Sequence, residues 1–159
     1  MKIVIIGAGE IGYDLASVLS KEKHDVTILD RNRECLQKAA ETLDVLTVEG
    51  NATSANDLVK ARVGEANMLI AVTSVDEVNM ISAMMGKRLG CATVIARVRS
   101  DEFSQVNAPL SPNDLGIDVM NINTEQPASA GQLLLSADLK ENLLVGGRRK
   151  PAILSDFLL

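Results

Sequence analysis

Gly7, Gly9 and Gly12 stand in G-x-G-x-x-G spacing directly after the apolar run Ile3 to Ile6, and Asp30 follows a second apolar run eighteen residues further on. Residues of these types at this spacing can hold a diphosphate. Gly7 permits a tight turn off a strand, Gly9 lets a pyrophosphate approach bare backbone, and Gly12 lets the new helix pack closely on the sheet. The helix opens with amide donors and a positive dipole end, so the phosphates need no lysine. Asp30 stands where a carboxylate accepts both ribose hydroxyls of an adenine nucleotide. Arg31 and Arg33 would suit a 2′-phosphate, but the charge of Asp30 opposes that group, which favours NAD(H) over NADP.

A phosphate loop is useful only between a strand and a helix, and the pattern supplies both. Ile3 to Ile6 has the length of a strand buried on both faces, and Ile11, Leu15, Val18 and Leu19 recur at helical spacing after it. Val26 to Leu29 reads as a second strand, and Arg33 to Thr42 as a helix facing inward through Leu36, Ala39, Ala40 and Leu43. Val45 to Val48 is expected as a third strand, and Gly50 to Thr53 ends at the same sheet edge as the glycine loop. Ser54 caps a short helix through Lys60. Met68 to Val72 is a fourth strand, and Thr73 to Asn79 leads into a helix carrying Val78, Ile81, Met85 and Leu89. Gly90 stops that helix before a fifth strand, Thr93 to Val98.

Ser100 to Gly116 is less regular, with a short helix expected near its start. Ile117 to Ile122 is a sixth strand, and Thr124 caps a final helix with Pro127 in its first turn and Ala130, Leu133, Leu134 and Ala137 on one face. Alternating strands and helices imply parallel pairing with right-handed crossovers, hence an α/β doubly wound, Rossmann-like sheet in the order 3-2-1-4-5-6. The ligand then sits between strands one and four, with Thr73 at its border.

Composition narrows the classes. The chain has 159 residues, 47% hydrophobic and 23% charged, which suits one globular domain with a substantial core. A net charge of -5 argues against a nucleic-acid partner, and one Tyr, two Phe and no Trp leave no stacking platform for single strands. No run approaches the roughly twenty apolar residues of a membrane span, and the N-terminus enters a strand at once, so a soluble cytoplasmic domain is expected. Cys35 and Cys91 are too far apart for a redox pair and read as small core residues.

The motifs GlyAlaGlyGluIleGly, LeuAsp at Leu29 and Asp30, GlyAsnAlaThr, Ala71 to Asn79 and Ala96 to Ser100 together resemble the Trk/Ktr family. These are peripheral potassium-uptake proteins with a KTN (RCK) nucleotide-binding domain, and the resemblance covers about Met1 to Ala137. It implies a cytoplasmic regulatory subunit and not an enzyme, lying at the inner face of the plasma membrane through a potassium-translocating membrane partner. A homodimer or higher ring is implied, with no direct membrane insertion. NAD(H) is the favoured ligand and ATP/ADP the other. By position, Gly7, Ala8, Gly9, Glu10, Ile11 and Gly12 would hold the phosphates, Asp30 the ribose, and Arg31 would lie beside it. Asn51, Ala52 and Thr53 would border the adenine, Thr73 and Ser74 the middle of the cofactor, and Arg97 would reach the phosphate or nicotinamide side. The family often has Asp where this chain has Asn51, and the anionic Glu10 sits badly against a terminal triphosphate. No metal site is assigned.

The boundaries are 1–137 for the nucleotide-binding domain and 138–159 for a tail or the start of a truncated following domain. The tail's apolar residues suit either that truncation, packing on another subunit, or packing on its own sheet. Arg97 pairs with a phosphate or else with Asp76 or Glu77. Otherwise Asp76 and Glu77 cap the fourth helix, with a cation there or at Glu125 as the lesser alternative. Met80, Met84 and Met85 read as core or dimer contacts. His24 reads as a surface histidine at the sheet end opposite the nucleotide. Two other functions remain: an NAD-dependent oxidoreductase, which lacks an evident substrate domain and an acid/base group near the nicotinamide, and a dimerisation module with a vestigial pocket.

Overall fold

The computed structural model describes residues 1–100, 102 and 109–122. These form β1 (Lys2–Ile6), α1 (Glu10–Lys21), β2 (Asp25–Asp30), α2 (Arg33–Thr42), β3 (Leu46–Glu49), α3 (Ala55–Lys60), β4 (Met68–Ala71), α4 (Asp76–Leu89), β5 (Thr93–Val98) and β6 (Val119–Ile122). A single 3₁₀ turn, Val63–Glu65, joins α3 to β4. The strands make one six-stranded sheet in the order β3-β2-β1-β4-β5-β6. Every pairing is parallel.

Parallel strands covered on both faces must be apolar throughout, and β4 is buried at every position. Side chains alternate between two cores. Ile3, Ile5, Ile28, Ile70 and Ile95 face α1 and α2, while Val4, Ile6, Leu29, Leu69 and Val94 face α3 and α4. Leu15 and Leu19 anchor α1 to the first core, each fully buried and contributing about 2 kcal/mol.

Several boundaries differ from the pattern. Asn32 caps α2 by accepting the Glu34 and Cys35 amides, and β3 starts at Leu46. Ala40 lies on the outer face of α2. The last strand starts at Val119 because Pro112 to Ile117 form a turn, closed by Ile117 N–H donating to Pro112 O at 2.9 Å. Gly90 ends α4 in the left-handed conformation expected of it, at φ 109°.

In α4 the structure departs from the pattern at one position and adds small residues to the buried face. Its buried residues are Asn79, Met80, Ser82, Ala83 and Gly86, whereas Ile81 is 43% exposed. Small residues bring this helix onto the sheet: a Cβ on Gly86 would lie 2.9 Å from Leu69 Cδ1. Of the large side chains at helical spacing, Val78, Met85 and Leu89 pack at the edge of the second core, and only Ile81 turns away from it. The short helix after Ser100, the final helix from Thr124 with Glu125, and the tail from Asp138 fall outside the described residues.

Candidate functional site

At the C-terminal ends of β1, β2 and β4 the order of strands reverses across the continuous sheet, and a cleft of about 340 Å³ opens there. Gly7 sits in the turn off β1 at φ 106°, and its N–H donates to Leu29 O at 2.9 Å. A Cβ on Gly12 would lie 1.8 Å from Gly7 O, so no side chain fits where α1 crosses the turn. At Gly9 a Cβ would meet nothing within 4 Å, because the backbone there faces open space. The amides of Gly9, Glu10 and Ile11 have no backbone acceptor among the described residues. A bare helix N-terminus with room before it fits a phosphate group.

Asp30 ends β2 across from this loop. Its Oδ2 accepts the Ala8 amide at 2.6 Å, and its Oδ1 accepts the Asn32 amide at 2.7 Å. The carboxylate thus fixes the glycine turn and aims itself, with remaining lone pairs for ribose hydroxyls. Further out, the Asn51 N–H donates to Asp57 Oδ2 at 2.9 Å. Lys60 first, then that amide, holds the Asp57 carboxyl below its usual range. Gly50 is required here, since a Cβ would lie 2.9 Å from the Asp57 side chain.

The opposite wall is built by α4. Asn79 is wholly buried; its Oδ1 accepts Thr73 N–H at 2.8 Å and Thr73 Oγ1–H at 2.7 Å. Its Nδ2 donates to Thr73 O at 3.0 Å and Arg97 O at 2.8 Å. Thr73 presses against Gly7 instead, its N 3.1 Å and its Cγ2 3.2 Å from where a Gly7 Cβ would stand. Asp76 does not cap α4, whose N-cap Val75 makes no side-chain bond. Its carboxylate accepts the Arg99 and Ser100 amides, both at 2.9 Å, while the Arg99 guanidinium reaches Ser74 O.

The cleft brings together Gly7, Gly9, Asp30, Arg31, Asn51, Ala52, Thr73 and Ser74 from the expected set. Ala8, Glu10, Ile11, Gly12, Thr53 and Arg97 do not line it. Arg97 is 7% exposed, and strand alternation places it on the face of Ile95, towards α1. Its Nε has no hydrogen-bond partner among the described residues. Burial first, then the charge of Arg99, lowers its pKa against the opposing pull of Asp76. The ion pair with Asp76 belongs to Arg99, at 3.6 Å.

Asp57 escapes sequence reasoning because it carries no motif, and Asp76 and Asn79, although inside the stretch Ala71 to Asn79, give no sign there of the backbone groups they hold. Cys35 is half-buried and lines the cleft, whereas Cys91 is in the core. The His24 side chain is 7% exposed, so it is not a surface histidine, although it does lie at the far sheet end beside Lys2 and Asp25.

A doubly wound sheet with a glycine turn, a helix N-terminus and an acid on β2 defines a Rossmann-type nucleotide-binding domain. The TrkA-N domain family model matches residues 3–120, and the chain belongs to that family. The Trk system potassium uptake protein TrkA of Azorhizobium caulinodans is 39% identical over 123 residues, covering 76% of this chain and 27% of that protein. The TrkA homolog of Archaeoglobus fulgidus is 40% identical over 121 residues, again 76% of this chain and 27% of the relative. The chain thus spans about a quarter of the length of these relatives. Among solved structures, the TrkA-N domain of the inner membrane protein YbaL from Escherichia coli has a TM-score of 0.66 at 17% identity, covering 77% of this chain and 87% of that one. The GsuK channel bound to NAD has a TM-score of 0.63 at 23% identity, covering 75% of this chain and 21% of that one. Both likenesses establish the fold. Among the described residues no helix is long and apolar enough to cross a membrane.

Proposed function

We infer that this chain is the nucleotide-sensing domain of a regulatory, non-catalytic subunit of a potassium-uptake system. One observation carries the reading: free amides at the start of α1 face open space at Gly9, and Asp30, bonded to the adjacent Ala8 amide, lines the same cleft beside them. That spacing suits NAD(H) or ATP/ADP, with the diphosphate over Gly7 to Gly12 and the ribose on Asp30. Ala8 serves through its amide tie to Asp30. Glu10 and Ile11 serve through backbone donors, Thr53 and Arg31 through Asn51. The exposed Glu10 carboxylate favours a dinucleotide over a nucleoside triphosphate. Arg97, buried and short of partners, suits the anionic or nicotinamide end.

The domain 1–137 acts at the cytoplasmic face through a potassium-translocating membrane subunit, as a homodimer or higher ring. The likeness to the TrkA potassium-uptake proteins supports that role, and the likeness to the NAD-bound GsuK channel supports a nucleotide. Regulation requires different affinities for two arrangements of paired domains, and a coupling of about 1–3 kcal/mol suffices. An oxidoreductase is disfavoured: Tyr13 Oη is held by Thr42 Oγ1 at 2.9 Å, and His24 lies at the other end of the sheet. Calorimetric titration with NADH, NAD⁺, ATP and ADP tests the reading. Saturable binding at micromolar concentration is expected, and no heat at millimolar ligand would sink it.

A further inference from the structure

We propose that the outer edge of β3 is a self-association surface, where a second copy of this chain adds its own β3 in antiparallel sense and the two sheets become continuous. The inference goes beyond the nucleotide reading: it concerns the sheet edge and holds whether or not the cleft is filled. Sheet order leaves one side of β3 without a neighbouring strand among the described residues.

Backbone alternation says which groups that side exposes. The Gly50 amide donates inward to Asp30 O at 2.9 Å, so Leu46 and Val48 also turn their amides and carbonyls to β2, and those of Val45, Thr47 and Glu49 point outward. An open row of this kind is a template for another strand, and proteins that keep an edge bare place lysine, proline or a bulge on it. From Val45 to Val48 this chain has neither lysine nor proline, and the unbroken register with β2 excludes a bulge. The side chains agree. Leu46 is 70% exposed, on the same face as Val48, which packs at the edge of the second core. Helix α3 has only six residues and stops short of it, and a hollow of about 270 Å³ reaches Leu46 over Val4 and Thr27.

A second copy fits because the edge is complementary to itself. A two-fold axis at Thr47 pairs every outward group, Thr47 with the partner's Thr47 and Val45 with the partner's Glu49, for about six backbone hydrogen bonds. It sets Leu46 against the partner's Val48 on the α3 face, and Asp44 opposite the partner's Gly50. In this register no carboxylate meets a carboxylate. Moving the axis to Glu49 would put two of them face to face.

The experiment is sedimentation velocity of the full chain from about 10 µM to about 1 mM, paired with amide hydrogen exchange over the same range. Self-association that grows with concentration is expected, and with it protection of the Thr47 and Glu49 amides. Leu46→Lys, at an exposed position, should weaken association about tenfold with the thermal midpoint near that of the wild type. Thr47→Pro, which removes an outward donor and no bond to β2, should weaken it further. Association that both variants leave unaltered overturns the proposal, because another surface then carries it. Protection of the two amides at every concentration also overturns it, since a segment of the same chain then covers the edge. So does free exchange of both amides at the highest concentration.

Discussion

The two walls of the cleft are made by the same strand-turn-helix device and finished in opposite ways. On the β1 side, Gly9, Glu10 and Ile11 leave amides free, and the side-chain work is a single carboxylate holding Ala8. On the β4 side, Asn79 engages the N–H, the carbonyl and the hydroxyl of Thr73, and that hydroxyl also accepts the Val75 amide, so the turn is tied to its own helix. Helix packing differs too. Each helix has a glycine against the sheet side, Gly12 in α1 and Gly86 in α4, but α1 adds Leu15 and Leu19 where α4 buries the polar Asn79 and Ser82 beside Met80 and Ala83. One wall is shaped to meet a ligand and the other to stay still, tied through Asn79 and Asp76 to the end of β5.

The sharpest way to break the contrast is at the contact both walls depend on. Gly12→Ala puts a methyl 1.8 Å from Gly7 O, against backbone that cannot step aside without moving α1. A loss above about 3 kcal/mol is expected, read as a collapse of the thermal midpoint together with nucleotide binding. An unchanged midpoint would mean that α1 is free to lift from the sheet. Next is Asn79→Ala, which strands the Thr73 amide and the Thr73 and Arg97 carbonyls in a buried place. Here about 2–3 kcal/mol should vanish from urea unfolding. A loss below about 0.5 kcal/mol would show that the β4 wall does not need its hub.

Asp30→Asn probes the other wall with a smaller effect. Both carboxylate oxygens accept backbone amides, so an asparagine must turn its NH₂ against one donor. Adenine nucleotides should bind about tenfold more weakly, and the ratio of NADH to NADPH affinity should move towards NADPH as the charge disappears. Equal losses for the two cofactors would remove Asp30 from the ribose.

Much of the first wall was legible because its determinants are local. Glycine spacing, an apolar run and an acid at the next strand end are consecutive in the chain, and the strand order follows from alternation and crossover handedness. The second wall was read only in part, for a tertiary reason. The spacing of Val78, Met85 and Leu89 marks the edge of the face that α4 buries, but the close approach of Asn79, Ser82, Ala83 and Gly86 to the sheet does not show in it, and Ile81 is exposed. Asp76 looked like a cap because acids favour a first helical turn, yet two amides after β5 compete for it and win. Cys35, expected in the core from its apolar neighbours, does pack against the first core, but it is half-buried and also lines the cleft.

The smallest effect belongs to the sheet end farthest from both walls, and it tests whether the two ends are independent. His24 packs there with Glu22 Oε2 3.6 Å from Nε2 and the Met1 amine 3.2 Å from Nδ1. Burial first, then the positive amine, lowers its pKa from the ordinary 6.5, against the weaker opposing pull of Glu22 and Asp25. Well above pH 6.5, as at pH 8, the imidazole is neutral in folded and unfolded chains alike, and the full stability is present. As pH falls through that value the unfolded chain takes up a proton that the fold resists, so stability declines until the folded imidazole itself protonates. Urea midpoints measured from pH 8 down to pH 5 should fall in the wild type, and the part of that slope due to residue 24 should be missing from His24→Gln. Nucleotide affinity at pH 8 should be the same in both, since a change there would mean that the far end of the sheet is felt at the cleft.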